Sequence, residues 1–278
     1  VGVEAKVMEH ILRQTWAFVF RDYHLTRRYF SWVVVFTFYA VVNSATVVLI
    51  GVAANDRRLT LTLMVGVMLW GFLSVIFQEI ANSITYERWE GTLEYTFMAP
   101  VSRLIHLAGV SLFATAYSVV RAIIIVAGMV LFVDLDLSRA NWPGMVAVLA
   151  VSSAAFIGLG LIAATLPVFS PERGAEATNI FQGILLLVSG VYYPVEVLPR
   201  WLQPLSVISP ATYALSASRK LIGLGAGGEL AAGSPLSACT YELTVLTLMG
   251  LVLIPLGLYV FALVERWAKH TGKLKRTG

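Results

Sequence analysis

The chain has 278 residues, 58% hydrophobic and only 13% charged, with a formal net charge of +4 and a mean hydropathy of +0.79. A water-soluble domain carries about 25% charged residues, so this chain has too little polar surface to cover itself in water. Its basic residues are spread among apolar segments, which argues against a nucleic-acid patch. In a bilayer only helices or closed barrels satisfy their backbone groups. Barrel strands would read as alternating segments of about ten residues. The apolar runs here are long and continuous, so the expected fold is an all-α membrane protein. The lone Cys239 rules out an intrachain disulfide and a cysteine zinc site, and is most simply a packing residue.

Residues 1–28 hold Ile11, Leu12, Trp16, Phe18, Val19 and Phe20 among Lys6, Arg13, Arg21, Arg27 and Arg28. That is a basic amphipathic helix, suited to the membrane interface and unlike a cleaved signal peptide. A bilayer crossing needs about 20 apolar residues. By that measure, six spans are expected over 29–55, 59–80, 104–133, 143–169, 177–195 and 243–264. Segment 83–100 separates the second and third spans and contains ITYERWEGTLEYTFMAP. On a helix, Tyr86, Trp89, Leu93 and Phe97 share one stripe, with Glu87, Glu90 and Glu94 beside it, and Pro100 limits the end. One short helix with an aromatic–aliphatic ridge is expected. By geometry alone such a helix equally suits the membrane interface, ridge down, or packing on its own protein. Interfacial helices are rich in Lys and Arg, so this acidic one suits a protein partner better than lipid.

Asp134 and Asp136 read as a solvated loop after the third span. The window Trp201–Ser218 carries Pro204 and Pro210 and reads as broken helices dipping partway into the membrane. Six spans put both termini on one side, with 13 Lys/Arg there against 6 opposite. The positive-inside rule makes that side cytoplasmic.

Polar residues inside spans are few. Arg121 falls in the outer half of the third span if that span runs outward. Intramembrane charge marks a path or a buried pair, although a long stem can also carry the head outward. Asn43, Asn179 and Gln182 are candidates for a path or for interhelical hydrogen bonds, and Gly183 and Gly190 for close helix contact. Glu79 reads as interfacial at the inner end of the second span, and Glu242 opens the last span. Tyr192, Tyr193 and Trp201 fit an interfacial belt. No catalytic set or metal site stands out: His10, His24, His106 and His270 are scattered. No H-E-x-x-H, G-x-S-x-G or phosphate loop is present. An intramembrane lipid-modifying enzyme would cluster His, Asp or Glu at one face, and a passive channel would show rings of charge or carbonyls. Neither pattern is visible.

Two motifs remain, in order: ERWEGTLEYTFMAPVSR, and SGVYYPVEVLPRWLQPLSVISPATYALSASRKL before the last span and basic tail. Together with the basic amphipathic start, this arrangement resembles the membrane subunit of type-2 ABC exporters over essentially the whole chain. The resemblance implies that residues 1–28 are a connecting helix. It implies that Glu87, Arg88, Trp89, Glu90, Gly91, Thr92, Leu93 and Glu94 belong to a coupling helix docking on a separate ATPase subunit. Ser170–Thr178 would be a minor second contact. Segment 194–221, with Tyr192, Tyr193, Pro194, Pro199, Trp201 and Pro210, would form external re-entrant helices. It further implies two permeases, identical or sister chains, with two ATPases that hold ATP and Mg, this chain binding no cofactor. The expected activity is export of a lipophilic or amphipathic drug, lipid or lipid-linked glycan across a prokaryotic cell membrane, with both termini cytoplasmic.

Overall fold

A computed structural model of the chain describes residues 2–133, 140–170, 173–224 and 233–272. The expected loop at Asp134 and Asp136, most of GLGAGG, two residues of the Ser170–Thr178 loop and the tail from Lys273 lie outside the described residues. In order the helices are α1 (Gly2–Arg28), α2 (Phe30–Ala53), α3 (Arg57–Glu90), α4 (Leu93–Met98), α5 (Arg103–Val130), α6 (Trp142–Ala163), α7 (Thr165–Phe169), α8 (Gly174–Val188), α9 (Gln203–Ile208), α10 (Pro210–Leu221) and α11 (Thr240–Thr271). Single 3-10 turns lie at Val195–Val197 and Leu236–Cys239. Every regular element among the described residues is helical.

The boundaries follow local chemistry. Asp56 caps α3, its Oδ1 accepting from the Leu59 N–H at 3.0 Å, and Asn141 caps α6 through Gly144 N–H at 3.0 Å. Five stretches are long and apolar enough to cross a membrane: α2, α3, α5, α6 running on through α7, and α11 with its preceding turn. Six were expected. The remaining segment, 177–195, contributes α8, which has 15 residues and is about 22 Å long against a hydrocarbon core of about 30 Å. Its helix stops at Val188, and Gly190, at φ 67°, turns the chain before Tyr192.

α3 is the hub. In its apolar window 78% of residues are buried, against 17% in α2, 28% in α5 and 22% in α11. It packs on α2, α5, α6, α7, α8 and α10. One large core centres on Leu73, Ile76, Phe77 and Ile80 with Phe156 and Leu246; a smaller one joins Val48, Met64, Val65 and Met129. Cys239 is buried in the large core, as a packing residue should be. α6 and α11 form the most extensive pair, and glycine makes it possible. A Cβ at Gly158 would lie 2.5 Å from the carbonyl carbon of Leu253, and one at Gly257 would lie 2.7 Å from the oxygen of Gly158. Apolar lipid supplies no hydrophobic drive between helices, so such close backbone packing is a main source of their association.

Gly158→Val is therefore expected to overpack this contact by at least about 1–3 kcal/mol. Thermal unfolding of the purified protein should show a lowered midpoint. Gly183→Val, at a site with nothing within 4 Å of an added Cβ, should leave that midpoint where it is.

Candidate functional site

The single helix expected over Ile84–Pro100 is interrupted. α3 runs without a break from the membrane span to Glu90, where Gly91 adopts φ 73°. Gly91 N–H donates to Arg88 O and Thr92 N–H to Glu87 O, at 3.1 and 2.8 Å, the paired bonds of a glycine helix stop. The left-handed residue turns the axis, so α4 does not continue the angular phase of α3. The expected ridge consequently splits. Tyr86 and Trp89 are 42% and 60% exposed, whereas Leu93 and Phe97 are buried in the core. The acidic flank splits too: Glu87 is 2% exposed, while Glu90 and Glu94 face outward. Of the eight residues assigned to the docking element, Trp89, Glu90, Thr92 and Glu94 are exposed, Gly91 is intermediate, and Glu87, Arg88 and Leu93 are inside. Tyr95 and Met98 on α4 are 78% and 72% exposed and extend the outward surface.

The inward side chains tie this surface to four other helices. Glu87 Oε1 accepts from Arg21 Nη1 on α1 and lies 3.1 Å from His106 Nε2 on α5. Arg103 Nη1 is 3.1 Å from His106 Nδ1. Arginine can only donate, so Nδ1 is the acceptor and the ring proton sits on Nε2, which donates to Glu87. Arg103 also grips Glu265 of α11 with two bonds of 2.9 Å, the planar fork that suits a carboxylate. Lys269 lies 2.9 Å from the same Glu265, and Arg21 Nε donates to Asp22 at 2.9 Å. Three carboxylates thus meet three cations, and the cluster closes without excess charge. Burial pushes the Asp22 carboxyl above its usual range, with Arg21 opposing. For Arg21 itself, burial alone would weaken the cation, but Glu87 and Asp22 outweigh it and raise its pKa. Arg88 donates to Val168 O on α7 at 3.4 Å. Apolar groups complete the seat: Arg103 lies over the Phe97 ring at 4.3 Å, Phe97 meets Phe261 edge-on, and Phe18 tilts against His106. Gly109 lets α1 lie close on α5, since an added Cβ would stand 2.7 Å from Phe18 Cβ.

Sequence reading missed Arg21, Arg103, His106 and Glu265 as a set. The one local signal is Arg103 and His106 at i, i+3, on one face at the start of an apolar run; Arg21 and Glu265 come from distant segments. On the outer surface Glu90 accepts from Tyr29 Oη at 2.7 Å and lies 3.9 Å from Arg28.

Within the bundle, Arg121 is not where the sequence placed it. Its Nη2 donates to Phe36 O at 3.2 Å. Phe36 is close to the start of α2, which is the Glu87 end of the bundle. α5 is slid along α2, so that a Cβ at Gly128 would stand 2.7 Å from Val41, and its first turns lie beside α1. Arg121 and Asn43 line one cavity of about 340 Å3 with Gln78 and Tyr192. Gln182 reaches its wall only through Gln78, whose Nε2 donates to Gln182 Oε1 at 2.5 Å. Asn179 is exposed on α8, apart from that cavity. A second, apolar cleft of about 330 Å3 lies between α6–α7 and α8.

At the opposite end, segment 194–221 forms broken helices, α9 and α10, as its prolines require. Pro199 opens a turn, its carbonyl accepting from Leu202 N–H at 2.8 Å, and Pro210 begins α10. The 3-10 turn Val195–Val197 follows Pro194. Trp201 is 74% exposed, and Tyr193 Oη donates to Leu187 O at 2.6 Å. Arg219 donates to Gly190 O and Val191 O at 3.0 and 3.1 Å, fastening α10 to the turn after α8. Glu242, at the start of α11, is buried and held by Lys220 at 2.6 Å and Ser216 at 2.9 Å.

An all-helical bundle with several apolar crossings, and a polar cluster at one end backing an exposed aromatic surface, defines a multi-pass membrane protein. Residues 8–222 match the family described as ABC-2 type transporter, and the chain belongs to that family as a membrane permease subunit. The linearmycin resistance permease protein LnrN of Bacillus subtilis (strain 168) is 30% identical over 89 residues, 31% of this chain and 23% of that relative. The chain therefore spans less than a quarter of the length of the curated relative it matches.

Breaking a buried pair costs about 3–5 kcal/mol. Arg21 is 27% exposed, which puts Glu87→Ala at the low end, about 3 kcal/mol. Thermal unfolding in detergent should show this loss, and Glu87→Gln, which keeps an acceptor for Arg21 and His106, should lose less.

Proposed function

We propose that this chain is the permease of an ATP-driven exporter and that the surface of Tyr86, Trp89, Glu90, Glu94, Tyr95 and Met98 docks on a separate ATPase subunit. The observation that carries this reading is one junction. The most buried helix of the bundle, α3, ends in an exposed tryptophan with acidic neighbours, and two residues earlier its own Glu87 joins α1 and α5. Force applied at Trp89 would reach the bundle through that buried cluster. ATP and Mg belong to the ATPase; this chain forms the path. The working unit contains two permease copies or sister chains and two ATPases. α8 completes a sixth crossing together with its flanking turns, which leaves both termini cytoplasmic. A ligand would shift the balance between inward- and outward-open states only by binding one of them better. The cargo is lipophilic or amphipathic, and the relative named for linearmycin resistance favours a drug-like compound within that class.

Trp89→Ala and Glu90→Lys lie on the exposed surface, where substitutions usually alter stability by less than about 0.5 kcal/mol. Both variants should reach the membrane in normal amount and unfold at the parental temperature. Reconstituted with the ATPase, they should lose most ATP-driven export. Full export by both would refute the docking role.

A further inference from the structure

We infer that the cavity bounded by α2, α3 and α5 binds a single-chain anionic amphiphile, with its carboxylate or phosphate head on Arg121 and its tail directed away from the Glu87 end. This rests on the permease reading only in taking the bundle to lie in a bilayer. α2 and α3 run antiparallel and close: a Cβ at Gly51 would stand 2.5 Å from Thr60 Cα. Lining residues can therefore be ordered by depth. Nearest the Glu87 end are Tyr39 of α2, Gln78 of α3 and Arg121 of α5, with Asn43 one turn beyond Tyr39. Furthest from it are Val47 and Val67, with the Tyr192 ring. The cavity thus has a cationic, hydrogen-bonding end and a mainly apolar end. Its volume of about 340 Å3 falls within the roughly 300–1,000 Å3 of small-ligand sites.

The charge at the polar end is uncompensated by contact. Arg121 makes one hydrogen bond, from Nη2 to the neutral Phe36 carbonyl, and no carboxylate pairs with it among the described residues. Glu79, one residue past Gln78, makes no hydrogen bond or ion pair with Arg121. A guanidinium within a bundle, beside amide and phenol donors and short of a counter-ion, selects an anion. Glu79 makes the opposite alternative, a cationic cargo, distinguishable from it.

The test is native mass spectrometry of the purified full chain, released from neutral detergent, with oleate and oleamide as probes of equal tail and different head charge. Wild type should retain oleate at least ten-fold more than oleamide. Arg121→Gln should abolish that preference, Arg121→Lys should keep much of it, and Glu79→Gln should increase it. An anionic single-chain lipid, such as a lysophospholipid, carried through purification on wild type and missing from Arg121→Gln would support the site as one for a resident lipid. A site free of lipid that takes oleate would support it as one for a passing anion. Equal retention of the two probes by wild type, with no anionic lipid carried over, would overturn the inference, as would an unchanged preference in Arg121→Gln. A preference for a cationic probe lost in Glu79→Gln would overturn it as well. The assay involves no ATPase, so failure of the docking role and failure of this site are read separately.

Discussion

The architecture at the Trp89 end of the bundle depends on placing one carboxylate, Glu87, where water cannot solvate it. A buried ion is tolerable only when it is paired and hydrogen-bonded, and Glu87 finds Arg21 on α1 and His106 on α5. This requirement sets the positions of three helices against one another. Arg103 extends the set to α11 by holding both His106 and Glu265. The same geometry turns Trp89, two residues on, outward. The aromatic surface and the polar cluster are therefore opposite faces of the last two turns of one helix.

The rest of the bundle is built by different forces. α3 satisfies its apolar side chains on almost every side, while α2, α5 and α11 keep broad apolar faces uncovered. In water such faces would be a liability. In a bilayer they are ordinary, and what holds the helices together is close packing, such as Gly158 against Gly257, and polar bonds at the ends. The two ends are built alike in this respect: the Glu87–His106–Arg103–Glu265 chain at one, and Arg219 with Lys220 and Glu242 at the other.

Several features were legible in the sequence because they depend on what each segment can be dissolved in. The long apolar runs announced helices, Pro204 and Pro210 announced the broken segment, and the tryptophan among glutamates announced a surface of special composition. The glycine stop at Gly91 was also legible in principle, since glycine is the usual residue for that turn. It was overlooked because the apolar spacing from Trp89 to Leu93 carries through it. Glu87, equally spaced with Glu90 and Glu94, looked like one of three solvated acids. Its partners lie 66 and 19 residues away, beyond the reach of any local period. The level of Arg121 was misread for a related reason: a span's composition does not say how far its helix is slid along its neighbours.

The amino-acid order alone therefore determined the helical class, most of the crossing segments, and the neighbourhood of the exposed Trp89, because hydropathy and helical phase are properties of short stretches. Only the tertiary structure decided that Glu87 goes inside, that segment 84–100 breaks at Gly91, that α8 is short, and that Arg121 meets Phe36. Each of those outcomes is set by how helices from separate parts of the chain are stacked. The cost of burying a charge depends on who stands beside it, not on its place in the sequence.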